Sequence, residues 1–515
     1  MTVSAQKVLP TDGVDRAPRP SERRLLRQIW ANPWLGFAVA AVVMIAFALV
    51  SAWLTPRGPI TSMEALVSMG TALIAGVVVG VMTGSRLSMV VTPALFMIVF
   101  ELARVGVDGP TVDGISLGTF YGVLAFGVGR VVHGVLVLAP MILGAVYGVA
   151  LAGYLGRPTT ATVGVGRWIV TAIATVILMA VAFFVSRPAT TSPIAGSDGE
   201  PLPGSVAELI TVPIGGHDQT LMIRGRNVES PVLLYLAGGP GGTDLGAMRR
   251  DVTLEQDFVV VTWEQRGAGK SYSALDPAAT LTLDQMVSDT VEVTSYLRSR
   301  FDEERIYLVG NSWGATLGVL AVQQSPELFH AYVGAGQMVS QRETDIMFWE
   351  DTLAWAESTG DTGLADTLRT IGPPPYEDIR SYEAAVGHEH DWNVYEEFDS
   401  SNEMPAILFV PENNLMDRIN GFRSFLDTFS VLYPQLQGID FREDVTSLEV
   451  PVYLVLGRHE ARGRAVLAEE WFELVEAPHK ELVIFEHSGH RAPFDEPGSF
   501  AALMRRIQSE TLVAP

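Results

Sequence analysis

The sequence predicts an α-helical transmembrane bundle followed by an α/β fold, with a mostly parallel sheet covered by helices on both faces and a helical cap insertion. Three observations support this prediction. Uncharged stretches in the first 190 residues are long enough to cross a bilayer. Beyond residue 205, short β-branched runs alternate with helical patterns, as in a covered parallel sheet. Between residues 340 and 440 the chain becomes acidic and aromatic, and this alternation stops.

Composition excludes several classes of function. The chain has 515 residues and no cysteine, so disulfides, thiolate metal sites and a cysteine nucleophile are excluded. Its net charge of −23 argues against a general nucleic-acid-binding surface, which needs clustered Lys and Arg. The charge is unevenly placed: residues 1–190 hold 13 Lys and Arg against 7 Asp and Glu, and the remainder holds 22 against 51. The two regions are therefore expected in different solvents, with a lipid bilayer as partner of the first.

The membrane region is predicted to span residues 34–186 with about five helices, after a cytoplasmic tail of residues 1–33. The five stretches are Trp34–Leu54, Met63–Met82, Leu87–Val105, Val135–Leu155 and Trp168–Ser186. The second is rich in Gly and Ala, which suits close approach of helices in lipid. A sixth apolar stretch, Ile115–Val128, is Gly-rich and shorter than a usual span, so a re-entrant or interfacial segment is expected there.

Basic residues in the loops predict the orientation. The tail carries Arg16, Arg19, Arg23, Arg24 and Arg27. By the positive-inside rule it lies in the cytoplasm of an integral cell-membrane protein. Five spans then place Arg86, Arg157 and Arg167 inside and the C-terminal domain outside the cytoplasm, whereas six spans would put Arg157 and Arg167 on the wrong side.

The C-terminal domain follows a linker of residues 187–205 that is dense in Pro, Gly, Ser and Thr. Its core is expected to comprise residues 206–339 and 441–515, with a helical cap of residues 340–440 between them. Five strands are predicted at Val232–Leu236, Phe258–Thr262, Ile306–Val309, Val452–Leu456 and Leu482–Phe485. A helix is predicted over Thr282–Phe301, where Thr282 and Gln285 have capping-box spacing.

A candidate nucleophile lies in Gly310-Asn311-Ser312-Trp313-Gly314, between an apolar strand and a helical run. A serine at such a tight turn needs small neighbours, because the strained backbone leaves no room for side chains. The turn also places the hydroxyl at a helix N-terminus, where developing negative charge is favoured. This context makes Ser312 the predicted catalytic serine.

A serine hydroxyl needs a base, and the base needs an acid to orient it. In G-x-S-x-G enzymes of this kind the chain order is serine, acid, histidine. His490 follows the last predicted strand and Glu460 follows the strand before it, so these two are the predicted base and acid. His459 and His487 are rival candidates for the base.

Two backbone N–H groups are expected to stabilise the oxyanion. One belongs to Trp313, the residue after the nucleophile. The other is assigned to Gly239 in the loop LAGGPGG, because glycine lets the main chain approach a reacting carbonyl closely.

Taken together these motifs resemble the α/β-hydrolase family of proline iminopeptidases. The resemblance rests on Leu236–Gly241 (LAGGPG), Trp263–Ser271 (WEQRGAGKS), the Ser312 turn and the His490 loop. Ala237, Glu264 and Glu460 depart from it, since that family usually has His, Asp and Asp there. The resemblance implies peptide substrates with a small N-terminal residue such as proline. It also implies cap glutamates that hold the substrate's amine, for which Glu343, Glu350, Glu396 and Glu397 are available.

The sequence therefore predicts a membrane-anchored serine hydrolase that acts through an acyl-enzyme on a small peptide or acyl substrate and needs neither a metal nor an organic cofactor. The metal-like cluster at residues 388–391 is interpreted as an exposed loop. Two alternatives stay open. One is an esterase or lipid hydrolase. The other is a non-catalytic membrane scaffold or transporter that carries a degenerate hydrolase domain.

Overall fold

The computed structural model describes residues 30–54, 60–105, 117–157, 164–275, 278–398 and 408–512. The chain divides into two compact units. The first comprises Met1–Thr55, Leu66–Gly106 and His133–Ala182, and the second comprises Pro56–Ala65, Val107–Val132 and Phe183–Pro515. The five arginines of the predicted cytoplasmic tail lie outside the described residues.

The N-terminal region is helical. Its helices are α1 (Pro33–Leu54), α2 (Ser62–Thr83), α3 (Ser88–Ala103), α4 (Phe120–His133), α5 (Ala139–Tyr154) and α6 (Val165–Ser186). Four apolar helices are long enough to cross a membrane: α1, α2, α6, and the continuous run of α4 and α5. Helix α3 matches the third predicted span but has only 16 residues. At 1.5 Å per residue it covers roughly 24 Å, which is less than a hydrocarbon core of about 30 Å.

The segment of residues 115–128, expected to be re-entrant, instead contributes the start of a long helix from Phe120 onward. Helices α4 and α5 form one apolar helix of 35 residues, Phe120–Tyr154. A π-helical turn at Gly134–Leu138 joins them. The glycines that suggested an interruption do not break the helix, because glycine is well tolerated in membrane helices.

Glycines bring α2 and α5 into close contact within the first unit. A Cβ atom at Gly76 would lie 2.1 Å from the Met141 carbonyl oxygen, and one at Gly144 would lie 2.1 Å from the Leu73 carbonyl oxygen. Any side chain at either position would push the helices apart. The predicted close approach therefore occurs, although Gly70 takes no part, since nothing lies within 4 Å of its Cβ position.

The second unit is built on an eight-stranded sheet. Its strands are β1 (Val206–Ile214), β2 (His217–Gly225), β3 (Val232–Leu236), β4 (Val259–Glu264), β5 (Ile306–Asn311), β6 (Phe329–Ala335), β7 (Val452–Gly457) and β8 (Lys480–Phe485). Their spatial order is β1-β2-β4-β3-β5-β6-β7-β8. Pairing is parallel from β4 to β8, whereas β2 runs antiparallel to both β1 and β4. The predicted mostly parallel sheet is confirmed.

Five of the eight strands were predicted from sequence. The other three are β1, β2 and β6. Strand β1 contains Pro213 and Glu208 and lies at the sheet edge, where proline is tolerated. Strand β2 is rich in polar residues, and β6 is interrupted by His330. Strands β1 and β2 lack the continuous apolar run by which buried parallel strands are detected, and the run in β6, Ala331–Ala335, consists mostly of small residues.

Helices cover both faces of the sheet. The helices outside the cap are α7 (Leu245–Arg250), α8 (Leu283–Phe301), α9 (Trp313–Gln324), α15 (Phe441–Asp444), α16 (Arg462–Leu474), α17 (Ala492–Asp495) and α18 (Pro497–Thr511). Alternate residues of β3 join different apolar clusters: Leu234 packs in one, and Leu233 with Tyr235 in the other. Each fully buried aliphatic side chain of this kind contributes about 1.5–3 kcal/mol to folding. The predicted N-cap of α8 is present, since Thr282 Oγ1 accepts the Gln285 N–H at 3.2 Å.

The cap lies between β6 and β7 in the chain. It contains the helices α10 (Gln341–Thr359), α11 (Thr362–Ile371), α12 (Tyr382–Val386), α13 (Glu389–Trp392) and α14 (Leu415–Leu432). The insertion follows the carboxyl end of a parallel strand, which is the edge where open α/β sheets bind ligands.

Candidate active site

Ser312 occupies a sharp turn between β5 and α9. Its backbone has φ 56° and ψ −121°, a positive-φ conformation that costs a non-glycine residue about 1–3 kcal/mol. A Cβ atom at Gly310 would lie 2.3 Å from the Gly314 carbonyl oxygen, and one at Gly314 would lie 2.1 Å from the Leu236 carbonyl oxygen. Both glycines are therefore required, because the turn folds back on itself and packs against the end of β3.

Glu460 and His490 lie together after β7 and β8. The Glu460 Oε2 atom is 2.8 Å from His490 Nδ1. The carboxylate also accepts the Ala461 N–H at 2.9 Å and Arg464 Nε at 2.6 Å. Burial alone would raise the pKa of the Glu460 carboxyl, but the charges and hydrogen bonds of Arg464 and His490 lower it to about 2. Glu460 is therefore ionised near neutral pH and suited to orient an imidazole and stabilise its protonated form.

The Ser312 turn and the His490 loop meet at the end of β6. The Ser312 N–H donates to the Ala335 carbonyl at 3.0 Å, and Asn311 Nδ2 donates to the His490 carbonyl at 3.2 Å. A Cβ atom at Gly336 would lie 2.7 Å from His490 Nδ1. Within the described residues, no hydrogen bond joins the Ser312 hydroxyl to the imidazole. Such bonds are often long in unliganded enzymes and tighten when substrate binds.

The loop after β3 lies beside Ser312. A Cβ atom at Gly238 would lie 3.2 Å from Ser312 Cβ and 3.8 Å from its Oγ. Gly239 has φ 134°, which favours glycine. In the part of the chain that the structure describes, the backbone N–H groups of Gly239 and Trp313 have no hydrogen-bond acceptor. Both groups are thus available to a ligand oxygen.

The rival histidines have other partners. The His459 ring stacks on Tyr395, with centroids 4.7 Å apart. His487 Nδ1 lies 3.2 Å from Glu397 Oε1. Of the three candidate bases, His490 is the one that the structure places against Glu460.

Comparison with known families agrees with this geometry. A family model described as the alpha/beta hydrolase fold matches residues 231–497. The chain belongs to the α/β-hydrolase fold family. The match includes the Ser312 turn, the loop after β3, the His490 loop after β8 and the whole cap. The N-terminal helices lie outside it.

Relatives of this hydrolase include aminopeptidases. The chain is 32% identical to the probable aminopeptidase YbaC of Bacillus subtilis over 310 residues, which are 59% of this chain and 96% of that protein. It is 29% identical to the probable proline iminopeptidase of Leptolyngbya boryana over 25% of this chain and 38% of that protein. Among solved structures, a proline iminopeptidase-related protein of Thermus thermophilus matches with a TM-score of 0.40 and 20% identity, covering 59% of this chain and 98% of that one. The predicted resemblance to proline iminopeptidases is confirmed by the sequence relatives.

Two of the residues at which the hydrolase departs from the iminopeptidase pattern are accommodated by the structure. Glu264 is buried, and it accepts hydrogen bonds from Thr243 Oγ1 at 2.5 Å and from the Lys270 N–H at 2.9 Å. Burial raises its pKa, although these bonds oppose the rise. Ala237 replaces the usual histidine, and its carbonyl accepts Gln265 Nε2 at 3.1 Å.

Gln265 bridges two segments of the candidate site, a connection that the sequence did not reveal. Its Nε2 donates to the Ala237 carbonyl in the loop after β3, and its Oε1 accepts the Trp313 indole N–H at 2.9 Å. One buried amide thus connects the two segments that carry the candidate oxyanion donors. The string E-Q-R-G marked the residue as typical of the family, but its two partners could be known only from the fold.

Removing this amide should impair catalysis specifically. We expect Gln265→Met to lower kcat/KM by about 10- to 100-fold, because two buried groups lose their partner and the oxyanion loop loosens. Gln219→Met is the matched control. Gln219 is also buried, and its Oε1 accepts the Trp263 indole N–H at 3.0 Å. Its other partners are the Ile214 carbonyl and Asp289, which are not part of the candidate site. Steady-state kinetics and thermal unfolding of both variants check this. Equal losses of activity in the two variants would contradict the positioning role.

Arg464 connects the candidate acid to the cap. Its guanidinium is buried, donates to Glu460 and to Glu389 of α13, and lies over the Phe348 ring at 4.8 Å. Arg464 is four residues after Glu460, so helical spacing could have suggested that pair. Glu389 is 75 residues away and could not be inferred.

Breaking this ion pair should destabilise the fold in a pH-dependent way. Because the fold lowers the pKa of Glu460, the ionised carboxylate stabilises the folded state at pH values above 4.5, the ordinary glutamate pKa. This stabilisation is lost as the pH falls towards 2. We expect Arg464→Gln to lower the free energy of unfolding by about 3–5 kcal/mol at neutral pH. The loss should shrink below about pH 4.5, because the wild type then loses the same contribution.

Chemical denaturation at pH 7 and pH 3 measures the effect. Arg462→Gln is the control, because Arg462 is exposed and pairs with Glu350 and Asp351 on the surface. Its effect should stay within about 1 kcal/mol. A pH-independent loss in Arg464→Gln would contradict the coupling to Glu460.

Three of the cap glutamates suggested by the resemblance already have side-chain partners. Glu343 pairs with Arg442 at 2.7 Å and Glu350 with Arg462 at 3.0 Å, and Glu397 Oε1 lies 3.2 Å from His487 Nδ1. Among the described residues, no group of three or more His, Asp or Glu side chains is placed to hold a metal ion.

Proposed function

We propose that this chain is a membrane-anchored serine hydrolase of aminopeptidase type, with Ser312, His490 and Glu460 as its triad. The observation that carries the proposal is the 2.8 Å contact of Glu460 Oε2 with His490 Nδ1, beside the turn that presents Ser312. The acid fixes the tautomer of the imidazole and leaves Nε2 to accept a proton. Family membership supports hydrolysis, and the geometry supports serine as the nucleophile.

The proposed reaction proceeds in two steps. His490 accepts the proton of the Ser312 hydroxyl while Oγ attacks the substrate carbonyl, and the N–H groups of Gly239 and Trp313 hold the oxyanion. His490 then donates the proton to the leaving amine, and the C–N bond breaks to give an acyl-enzyme. Water, deprotonated by His490, attacks the ester carbonyl, and the Ser312 oxygen leaves with that proton. Glu460 stabilises the imidazolium in both steps.

The similarity to a probable aminopeptidase and a probable proline iminopeptidase supports peptides with a free N-terminus as substrates of this chain. A small cavity beside His490 is lined by Glu389 and Asp495 as well as by Tyr395, Phe398 and Arg491, whose charge is paired with Asp244. Carboxylates and aromatic faces suit a positively charged amino group. Both carboxylates already have a partner, Arg464 for Glu389 and the Gly489 N–H for Asp495. An amine bound there would therefore join an existing network.

The four long apolar helices support membrane anchoring. With the shorter helix α3 as a fifth span beside the four long helices, we propose an integral protein of the cell membrane with a cytoplasmic N-terminus and an extracytoplasmic hydrolase domain. Five spans keep Arg86, Arg157 and Arg167 on the cytoplasmic side, as the positive-inside rule favours. Protease treatment of intact cells should then cleave the hydrolase domain. Cleavage only in inverted vesicles would place the domain in the cytoplasm.

Matched substrates test the reaction class. For the full chain in detergent, we expect prolyl-naphthylamide to be hydrolysed at least about tenfold faster than N-acetyl-prolyl-naphthylamide, because acetylation removes the charged amine at a cost of about 1.4 kcal/mol or more. A short nitrophenyl ester gives the comparison for esterase activity. Preference for the blocked amide would reject the aminopeptidase assignment, and hydrolysis of the ester with neither amide cleaved would favour an esterase. Hydrolysis of none of the three would favour the non-catalytic scaffold.

A further inference from the structure

The first unit contains an open cavity of about 1110 Å³ that the hydrolase chemistry does not use. Cavities for small organic ligands usually measure about 300–1,000 Å³, so this one can hold a larger molecule. Four helices line it with apolar side chains, represented by Phe37 of α1, Val90 of α3, Val149 of α5 and Val170 of α6. The walls thus suit hydrocarbon chains.

Three arginines line the cavity at one end of these helices. Arg86 follows α2, Arg157 follows α5, and Arg167 lies in the first turn of α6. No acidic residue is among the described residues that line the cavity. A cleft lined by charges of one sign attracts ions of the opposite sign, so these three partly buried or exposed arginines favour an anion at this end of the cavity.

The position of Arg157 is built into the fold. Its Nη1 donates to the Met82 carbonyl at 3.1 Å. The side chain packs on Gly84, whose φ is 53° and where a Cβ atom would lie 2.4 Å from the guanidinium. Because a side chain at position 84 would displace Arg157, the glycine keeps this arginine at the cavity.

Helix α6 leaves room for a lipid beside it. Val185 is the one buried residue among the described residues of α6, and Ile173, Val176 and Ile177, which do not line the cavity, are 55%, 60% and 59% exposed. A helix that packs this loosely leaves much of its apolar surface to be covered by acyl chains.

We propose that this cavity binds an anionic phospholipid, with its phosphodiester at Arg86, Arg157 and Arg167 and its acyl chains along the apolar walls. Basic pockets between membrane helices bind anionic headgroups in this way. The site shares no residue with the proposed catalytic site and rests on the membrane insertion proposed above. A net negative headgroup fits three positive charges better than a zwitterionic one, and inorganic phosphate would leave the apolar walls uncovered.

Native mass spectrometry of the full chain tests this proposal. The protein is released from nanodiscs that contain equal amounts of phosphatidylglycerol and phosphatidylethanolamine, and the retained lipids are counted. We expect phosphatidylglycerol to be retained preferentially. Arg86→Gln and Arg167→Gln should each lower its retention about fivefold, as expected for one arginine near a lipid headgroup. Neither side chain makes a hydrogen bond within the described residues, so folding should tolerate both changes.

Two controls make the test decisive. Arg187→Gln changes an arginine just beyond the other end of α6, outside the cavity lining, and should retain lipid as the wild type does. Excess inorganic phosphate should not displace the lipid. Equal retention of both lipids by the wild type, unchanged retention in the two cavity variants, or displacement by phosphate would overturn the proposal. Recovery of the chain without detergent would instead show that membrane insertion, on which the site depends, is wrong.

Discussion

Ser312→Ala is expected to lower kcat for the preferred substrate by about 10⁴- to 10⁶-fold, because the nucleophile of the proposed triad is lost and only substrate binding and the oxyanion donors remain. KM should change little, since the hydroxyl contributes mainly to the transition state. Steady-state and single-turnover kinetics of the purified full chain measure the loss. A residual activity within about tenfold of the wild type would reject Ser312 as the nucleophile.

The three histidines near the carboxyl ends of β7 and β8 supply the control for this loss. His490→Ala should reduce kcat about as much as Ser312→Ala does, because serine and base act as a unit. His459→Ala and His487→Ala should retain most of the activity, since the structure places them against Tyr395 and Glu397. A large loss in either of those two, with activity kept in His490→Ala, would show that the base lies elsewhere than His490.

Glu460→Gln is expected to have the largest effect after loss of the serine or the base, a decrease of about 10³- to 10⁴-fold in kcat. The amide cannot stabilise the protonated imidazole, and its NH₂ group can force the wrong tautomer on His490. In the wild type the pKa of the Glu460 carboxyl is lowered to about 2, so this stabilisation is available throughout the neutral range.

Two variants accompany this measurement. Glu460→Asp should keep more activity than Glu460→Gln, because the charge remains and iminopeptidases of this family usually carry aspartate there. Glu486→Gln, a change in an exposed glutamate that pairs with Arg458, should have no comparable effect. Equal rates in Glu460→Gln and the wild type would show that the contact with His490 has no part in catalysis.

The Ser312 turn could be predicted because its requirements are local. Gly310 and Gly314 approach neighbouring backbone so closely that no other residue fits, and a strand and a helix flank them. Glu460 and His490 could be predicted because each follows an apolar run in a strand, buried in β7 and partly buried in the edge strand β8, and parallel strands bring such ends to one edge. Their proximity in the structure reflects that topology, while their catalytic roles stay predictions.

The remaining contacts depend on distances along the chain that no local pattern reveals. Gln265 meets Trp313 across 48 residues, and Arg464 meets Glu389 across 75. In the fold, β1, β2 and β6 escaped prediction because they mix polar residues or proline into a strand. In the membrane region, the glycines of residues 115–128 suggested an interruption that the continuous helix does not have.

The most direct test of the central claim is to map a covalent adduct. The full chain is treated with a fluorophosphonate probe, digested and sequenced by mass spectrometry. We expect one modified peptide, with the phosphonyl group on Ser312, and no modification when His490 is replaced by alanine. Modification of another residue, or none at all in a chain that hydrolyses its substrate, would contradict a serine hydrolase built on Ser312.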